Sequence, residues 1–105
     1  MSKSNGKFYR DASNRLTYDI HEIEADRYPQ LCNDLATTFD LKPASELVVG
    51  LDEMFWDFTN GLHTIEFGWD IWSGFFITAK DSGSESLVRQ IAELLVRDDC
   101  QLGGP

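Results

Sequence analysis

Cationic side chains are scarce in this sequence: nine Lys and Arg stand against 18 Asp and Glu, a net charge of −9 over 105 residues. Such a surface repels a phosphate backbone, so nucleic-acid binding is not expected. An anionic membrane surface is disfavoured for the same reason. Cysteine is nearly absent. Cys32 and Cys100 have no C-x-x-C spacing, and the expectation is two free thiols in a reducing compartment. No apolar run approaches the ~20 residues of a membrane-spanning helix. The polar start MSKSNGK is not followed by the apolar stretch of a signal peptide. The cytoplasm is the expected address.

Catalytic and cofactor signatures are missing as well. There is no H-x-x-x-H, no Asp-x-Asp loop and no phosphate-binding glycine motif. Neither a metal nor a cofactor is expected. Asp52-Glu53 and Asp98-Asp99 read as solvated charges. His63 falls beside a turn and reads as a rim histidine rather than a general base. Cys32 falls on an apolar helix stripe, where a thiol behaves as a small apolar side chain. The chain is not expected to be an enzyme.

The sequence does hold enough apolar material, 42% of residues with 12% aromatic, to bury one core. One α+β domain over 1–105 is expected, with 1–6 and 101–105 loose. Lys7 to Arg10 reads as a short strand and 11–14 as a turn. Leu16, Tyr18 and Ile20 alternate with polar residues, the pattern of a half-buried strand. Tyr28, Leu31, Cys32, Leu35, Ala36 and Phe39 then form one helical stripe, predicting a helix over 27–40. Asp26 is its expected N-cap, Pro29 is tolerated in the first turn, and Lys42-Pro43 marks the end. Leu47-Val48-Val49 reads as a short strand, with Gly50 either a bulge or a bend into the next strand.

Residues 52–59 alternate, and Asn60-Gly61 predicts a two-residue type I′ hairpin. That register opposes Phe58 to His63 and Trp56 to Ile65. It sets Met54, Trp56, Phe58, His63, Ile65, Phe67 and Trp69 on a core face. Phe55, Asp57, Thr64, Glu66 and Gly68 fall on the other. Phe75 to Lys80 is a further strand, with Phe76 and Thr78 on the non-core side. Ser82 and Glu85 have capping-box spacing ahead of a second helix over 84–97. The order is β(β)-α-β-β-β-α, an antiparallel meander with two helices packed on one face.

The non-core face then carries Phe55, Phe76 and two carboxylates, Asp57 and Glu66, on adjacent strands and offset diagonally. Either a further element covers this face, or aromatic anchors ringed by acids make a contact surface. Gly68-Trp69-Asp70-Ile71-Trp72-Ser73-Gly74 is the most distinctive stretch. Asp70 suits an Asx turn, Gly74 a positive φ, and Trp69 the core. Trp72 either packs over its own hairpin or takes part in binding.

The block Trp69-Asp70-Ile71-Trp72-Ser73-Gly74-Phe75-Phe76-Ile77-Thr78-Ala79 precedes the amphipathic C-terminal helix. Together they resemble small acidic bacterial proteins found as toxin-immunity or mobile gene-cassette products. The resemblance spans the second half of the chain. It implies a non-enzymatic protein that neutralises a toxin, often a basic nuclease, by covering its active site. The expectation is a protein-binding domain for a basic partner, with Phe55, Asp57, Glu66, Trp72 and Phe76 at the contact. The alternative is a homodimeric structural or ligand-binding domain, paired through edge strands or sheet faces.

Overall fold

The computed structural model describes residues 6–102 and the side chains of 6–96. The elements follow the chain as β1 (Lys7–Arg10), β2 (Leu16–Ile20), α1 (Tyr28–Phe39), β3 (Lys42–Pro43), β4 (Val48–Val49), β5 (Glu53–Thr59), β6 (Thr64–Asp70), β7 (Gly74–Ala79) and α2 (Glu85–Leu102). The strands form one antiparallel sheet in the order β1-β2-β7-β6-β5-β3, with β4 also on β5. The α+β meander expected from the alternation is therefore the fold.

Both helices lie against one face. Tyr28, Leu31, Cys32, Leu35 and Ala36 of α1 are buried, as the helical stripe predicts. Val88, Ile91, Ala92 and Leu95 of α2 join them over Phe58, Ile65, Phe67, Phe75 and Ile77 of the sheet. Each such side chain withdrawn from water contributes about 1.5–3 kcal/mol before the entropy of ordering it. The Tyr28 hydroxyl crosses the core and donates to the Phe67 carbonyl. That bond removes the cost of burying the phenol.

Several boundaries differ from expectation. Asp26 does not cap α1; it sits in a 3-10 turn, Ala25–Arg27, that leads into the helix without a side-chain cap. The helix ends at Asp40, which is left-handed at φ 57 and donates its N–H to Ala36 and Thr37. Lys42-Pro43 consequently belongs to strand β3 on the edge of β5 rather than to a helix stop. Of Leu47-Val48-Val49 only the two valines are strand. The capping box at α2 is Asp81 with Ser84, not Ser82 with Glu85. Asp81 precedes a 3-10 turn, Ser82–Ser84, which shifts the cap by one residue, and Glu85 pairs with Arg10 instead. α2 runs to Leu102, so 101–102 are helical, while 1–5 and 103–105 lie outside the described residues. The side chain of Cys100 is also outside them.

The β5–β6 turn is centred one residue later than predicted. Asn60 donates its N–H to the His63 carbonyl, and the Asn60 side-chain oxygen accepts from the N–H of Leu62 and His63. Gly61 has φ 98, and Asn60 is not among the positive-φ residues, so a type I′ turn is excluded. Asn60 serves as an Asx acceptor, which replaces the left-handed backbone state that type I′ requires. Phe58 therefore opposes Ile65, and Trp56 opposes Phe67. The register moves by two residues, so every side chain keeps its predicted face.

β2 departs from the half-buried expectation, because all five of its residues are buried. Thr17 and Asp19 are enclosed on the open side by neighbours from β1 and β7. Beyond β5, β3 and β4 together form one broken edge strand. Lys42–Pro43 pairs with 58–59, Val48–Val49 pairs with 54–55, and residues 44–47 bulge between. Ser45 holds the bulge, accepting from the Trp56 indole and the Asp57 N–H. A bulge and a proline on an edge prevent it from templating another strand.

Candidate functional site

The helices leave the other face of the sheet open. Three of its cross-strand rows define the candidate site. The middle row runs from Val48 on β4 through Phe55 and Gly68 to Phe76 on β7. Gly68 is what allows it: a Cβ there would run into the Phe76 ring, which lies across this residue. Phe76 in turn meets Phe55 edge-on, with ring centroids 6.3 Å apart. Aromatic pairs in this geometry are stabilised by about 0.5–1.5 kcal/mol beyond their buried area. The result is an apolar band reaching the sheet edge, where Val48 is exposed.

Carboxylates flank the band on both sides. Glu53 opposes Asp70 in one neighbouring row, and Asp57 opposes Glu66 in the other. The expected diagonal offset of Asp57 and Glu66 is thus corrected to a direct pair by the two-residue change of register. Burial pushes the Glu66 carboxyl up, and Asp57 raises it further, while Lys80 and Arg15 act the other way. Lys80 reaches Asp57 at 3.7 Å. Burial also raises Asp19, on the same face beside Phe76. Between residues 43 and 79 the chain has six carboxylates and no Lys or Arg, so this stretch is acidic, with Lys42 on β3 and Lys80 after β7 at its margins.

Phe55, Asp57, Glu66 and Phe76 are therefore brought together as the alternation predicts. Trp72 is not on the face; it occupies the β6–β7 turn at its end, and its side chain is 70% exposed. The Asp70 carboxylate shapes that turn, accepting from the N–H of Trp72 and Ser73. Gly74 closes it at φ 73, as expected. Trp69 turns inward and donates to the Ile23 carbonyl. The Ile71 N–H donates to the Asp52 carbonyl and brings the 50–52 turn alongside. Ile71 and Leu51 are thus exposed apolar residues at the same end of the sheet as Trp72. Sequence reasoning missed Val48, Leu51 and Ile71, because only tertiary pairing sets the 48–51 segment beside β5 and the β6–β7 turn.

Cys32 and His63 are both held by the fold. Cys32 is fully buried, and burial pushes its thiol up to about 12. His63 contacts Asp81 at 3.1 Å, but the same carboxylate also accepts from the N–H of Thr64 and Ser84. These contacts, the Thr64 N–H first, hold Asp81 below the usual carboxylate range. Among the described residues no three His, Cys, Asp or Glu side chains group to hold a metal ion. No helix of the described residues is long and apolar enough to cross a membrane.

A second concavity lies on the helix side. A groove of about 350 Å³ separates Phe8 and Tyr18 from Arg89, Ala92, Glu93 and Val96 of α2. Arg89 sits 5.5 Å from the Phe8 ring centroid, and Phe8 leans on Tyr18 at 4.8 Å. The Tyr18 hydroxyl, buried beneath Gly6, has no hydrogen-bond partner among the described residues. Comparison of the chain with protein-family models, with curated proteins and with solved structures finds no match.

Proposed function

We propose that this chain is a non-enzymatic protein-binding domain of the immunity type, which covers a basic partner protein with its open sheet face. One observation carries the reading: an apolar band of Val48, Phe55 and Phe76 lies between two rows of carboxylates, within a stretch, residues 43–79, that contains no Lys or Arg. Apolar anchors bounded by charge of one sign form the buried centre and polar rim of a protein interface. The net charge of −9 draws a basic partner in and orients it, which raises the association rate more than the final affinity. Trp72, with Ile71 and Leu51, extends the contact past the end of the sheet.

The arrangement suits covering better than catalysis. A flat face presents area, and its carboxylates are spread over four strand positions rather than converged on one atom. The resemblance of the 69–79 block to immunity and gene-cassette products agrees with this.

The test is a pull-down with the tagged chain, comparing wild type with Trp72→Ala and Asp57→Lys. A basic protein recovered by wild type and depleted by both variants is expected, with circular dichroism unchanged. Recovery should also fall as salt rises, because screening removes the steering. Equal recovery by wild type and both variants rejects this surface.

A further inference from the structure

We infer that β1 pairs edge to edge with β1 of a second copy of this chain, so that the groove between β1 and α2 is closed by the copy. β1 is the terminal strand of the sheet, and among the described residues no strand pairs with its outer edge. An unpaired row of N–H and C=O groups is a template for another strand. The opposite edge is unsuited, since it is broken by the bulge over 44–47 and carries Pro43.

Each side of β1 carries an exposed aromatic ring. Phe8 is 44% exposed toward the helices and Tyr9 37% toward the open face, and Val96 across the groove is 48% exposed.

Charge selects a second copy as the occupant. Copies carrying −9 each repel one another over most of their surface, and most strongly at the acidic half-sheet. Around β1 the signs are mixed instead. Lys7, Arg10 and Arg89 stand among Asp19, Glu85 and Glu93, with Arg10 paired to Glu85 and Lys7 opposite Asp19. A surface with both signs can face itself without net repulsion, and a two-fold axis needs such self-complementarity.

The axis also fixes the pairing. A two-fold perpendicular to the sheet places both pairs of helices on the same side, so opposed residues must share a face. Phe8 then meets Phe8 of the copy between the two α2 helices. Each Lys7 meets Tyr9 of the copy on the open side, and no two cations are opposed. The two sheets become one, and the open acidic faces lie side by side, leaving the partner-binding surface free.

The test is sedimentation equilibrium of the full chain from low micromolar to submillimolar concentration. Wild type should approach twice the 11.9 kDa of one chain. Val96→Glu places a carboxylate in the closed groove, and Tyr9→Lys opposes two cations. Each should weaken dimerisation at least tenfold without changing the melting temperature measured at concentrations where wild type is monomeric, since both side chains are exposed. Trp72→Ala and Asp57→Lys should leave the dimer intact, which keeps this inference separate from the proposed partner surface. A monomeric mass at every concentration overturns it. So does a dimer that survives both β1-side variants, or one dissolved by Trp72→Ala or Asp57→Lys.

Discussion

Replacing Asp81 with Ala should cost this domain about 2.5–3.5 kcal/mol at neutral pH. The magnitude follows from three contacts made by one carboxylate. It caps the turn leading into α2 by accepting from the Ser84 N–H, a loss of about 1 kcal/mol. It accepts from the Thr64 N–H at the start of β6, a charge-assisted bond of about 1.5 kcal/mol. It also meets His63 at the rim, an exposed contact of about 0–1 kcal/mol. At roughly 4–8 °C per kcal/mol for a domain of this size, melting should fall by about 10–28 °C. Asp81→Asn keeps a cap acceptor but faces Thr64 with an amide, and should lose about half as much. Because the folded carboxyl lies below its ordinary 3.8, the stabilisation is complete above that pH. It fades as pH falls through the lowered folded value. Thermal denaturation followed by circular dichroism from pH 7 down to pH ~3 measures this. A loss under about 0.5 kcal/mol at pH 7 would refute the assignment of these bonds to stability. So would a difference between variant and wild type that grows as the carboxyl is protonated.

Three further outcomes are expected. Gly68→Ala drives a Cβ into the Phe76 ring, so denaturant unfolding should show a loss of about 1–3 kcal/mol and partner recovery should fall with it. Glu66→Gln removes a carboxyl whose folded affinity for protons is raised, mainly by burial. The wild-type carboxylate destabilises the fold increasingly as pH rises from its ordinary 4.5 through the raised value. The variant should therefore gain stability at neutral pH and show little difference well below pH ~4; an equal gain at both would discard the explanation. In a Cys100→Ser background, Cys32 should react with a thiol reagent only as fast as the fold opens, since burial pushes its thiol to about 12. Prompt native-state labelling would contradict its place in the core.

Much of this protein was legible from local pattern. The stripe from Tyr28 to Ala36 settled the buried face of α1, because helical spacing leaves one side for apolar groups. Alternation along 53–59 and 64–70 settled which side chains point to the helices, and the face survived an error in the turn because the correction was two residues. The cap of α2 was misread by one residue, since Asp81 and Ser82 are both competent acceptors and only the 3-10 turn chooses between them. Phe55, Asp57, Glu66 and Phe76 were placed on one face by parity alone.

Their arrangement was not legible. Whether Asp57 faces Glu66 directly, and so raises it, depends on which atoms of Asn60 close the turn. That Phe76 crosses to Phe55 depends on Gly68 lying between them, three strands deep in a sheet whose order no single strand encodes. Composition and periodicity act over a few residues, so charge, class and facing were decided by the chain itself. Contact between residues from separate strands carries the entropy of closing long loops, and is decided only when the whole core forms. Val48 joining the aromatic band, Leu51 coming to the same end of the sheet as Trp72, and β1 without a further strand on its outer edge among the described residues are all of that second kind.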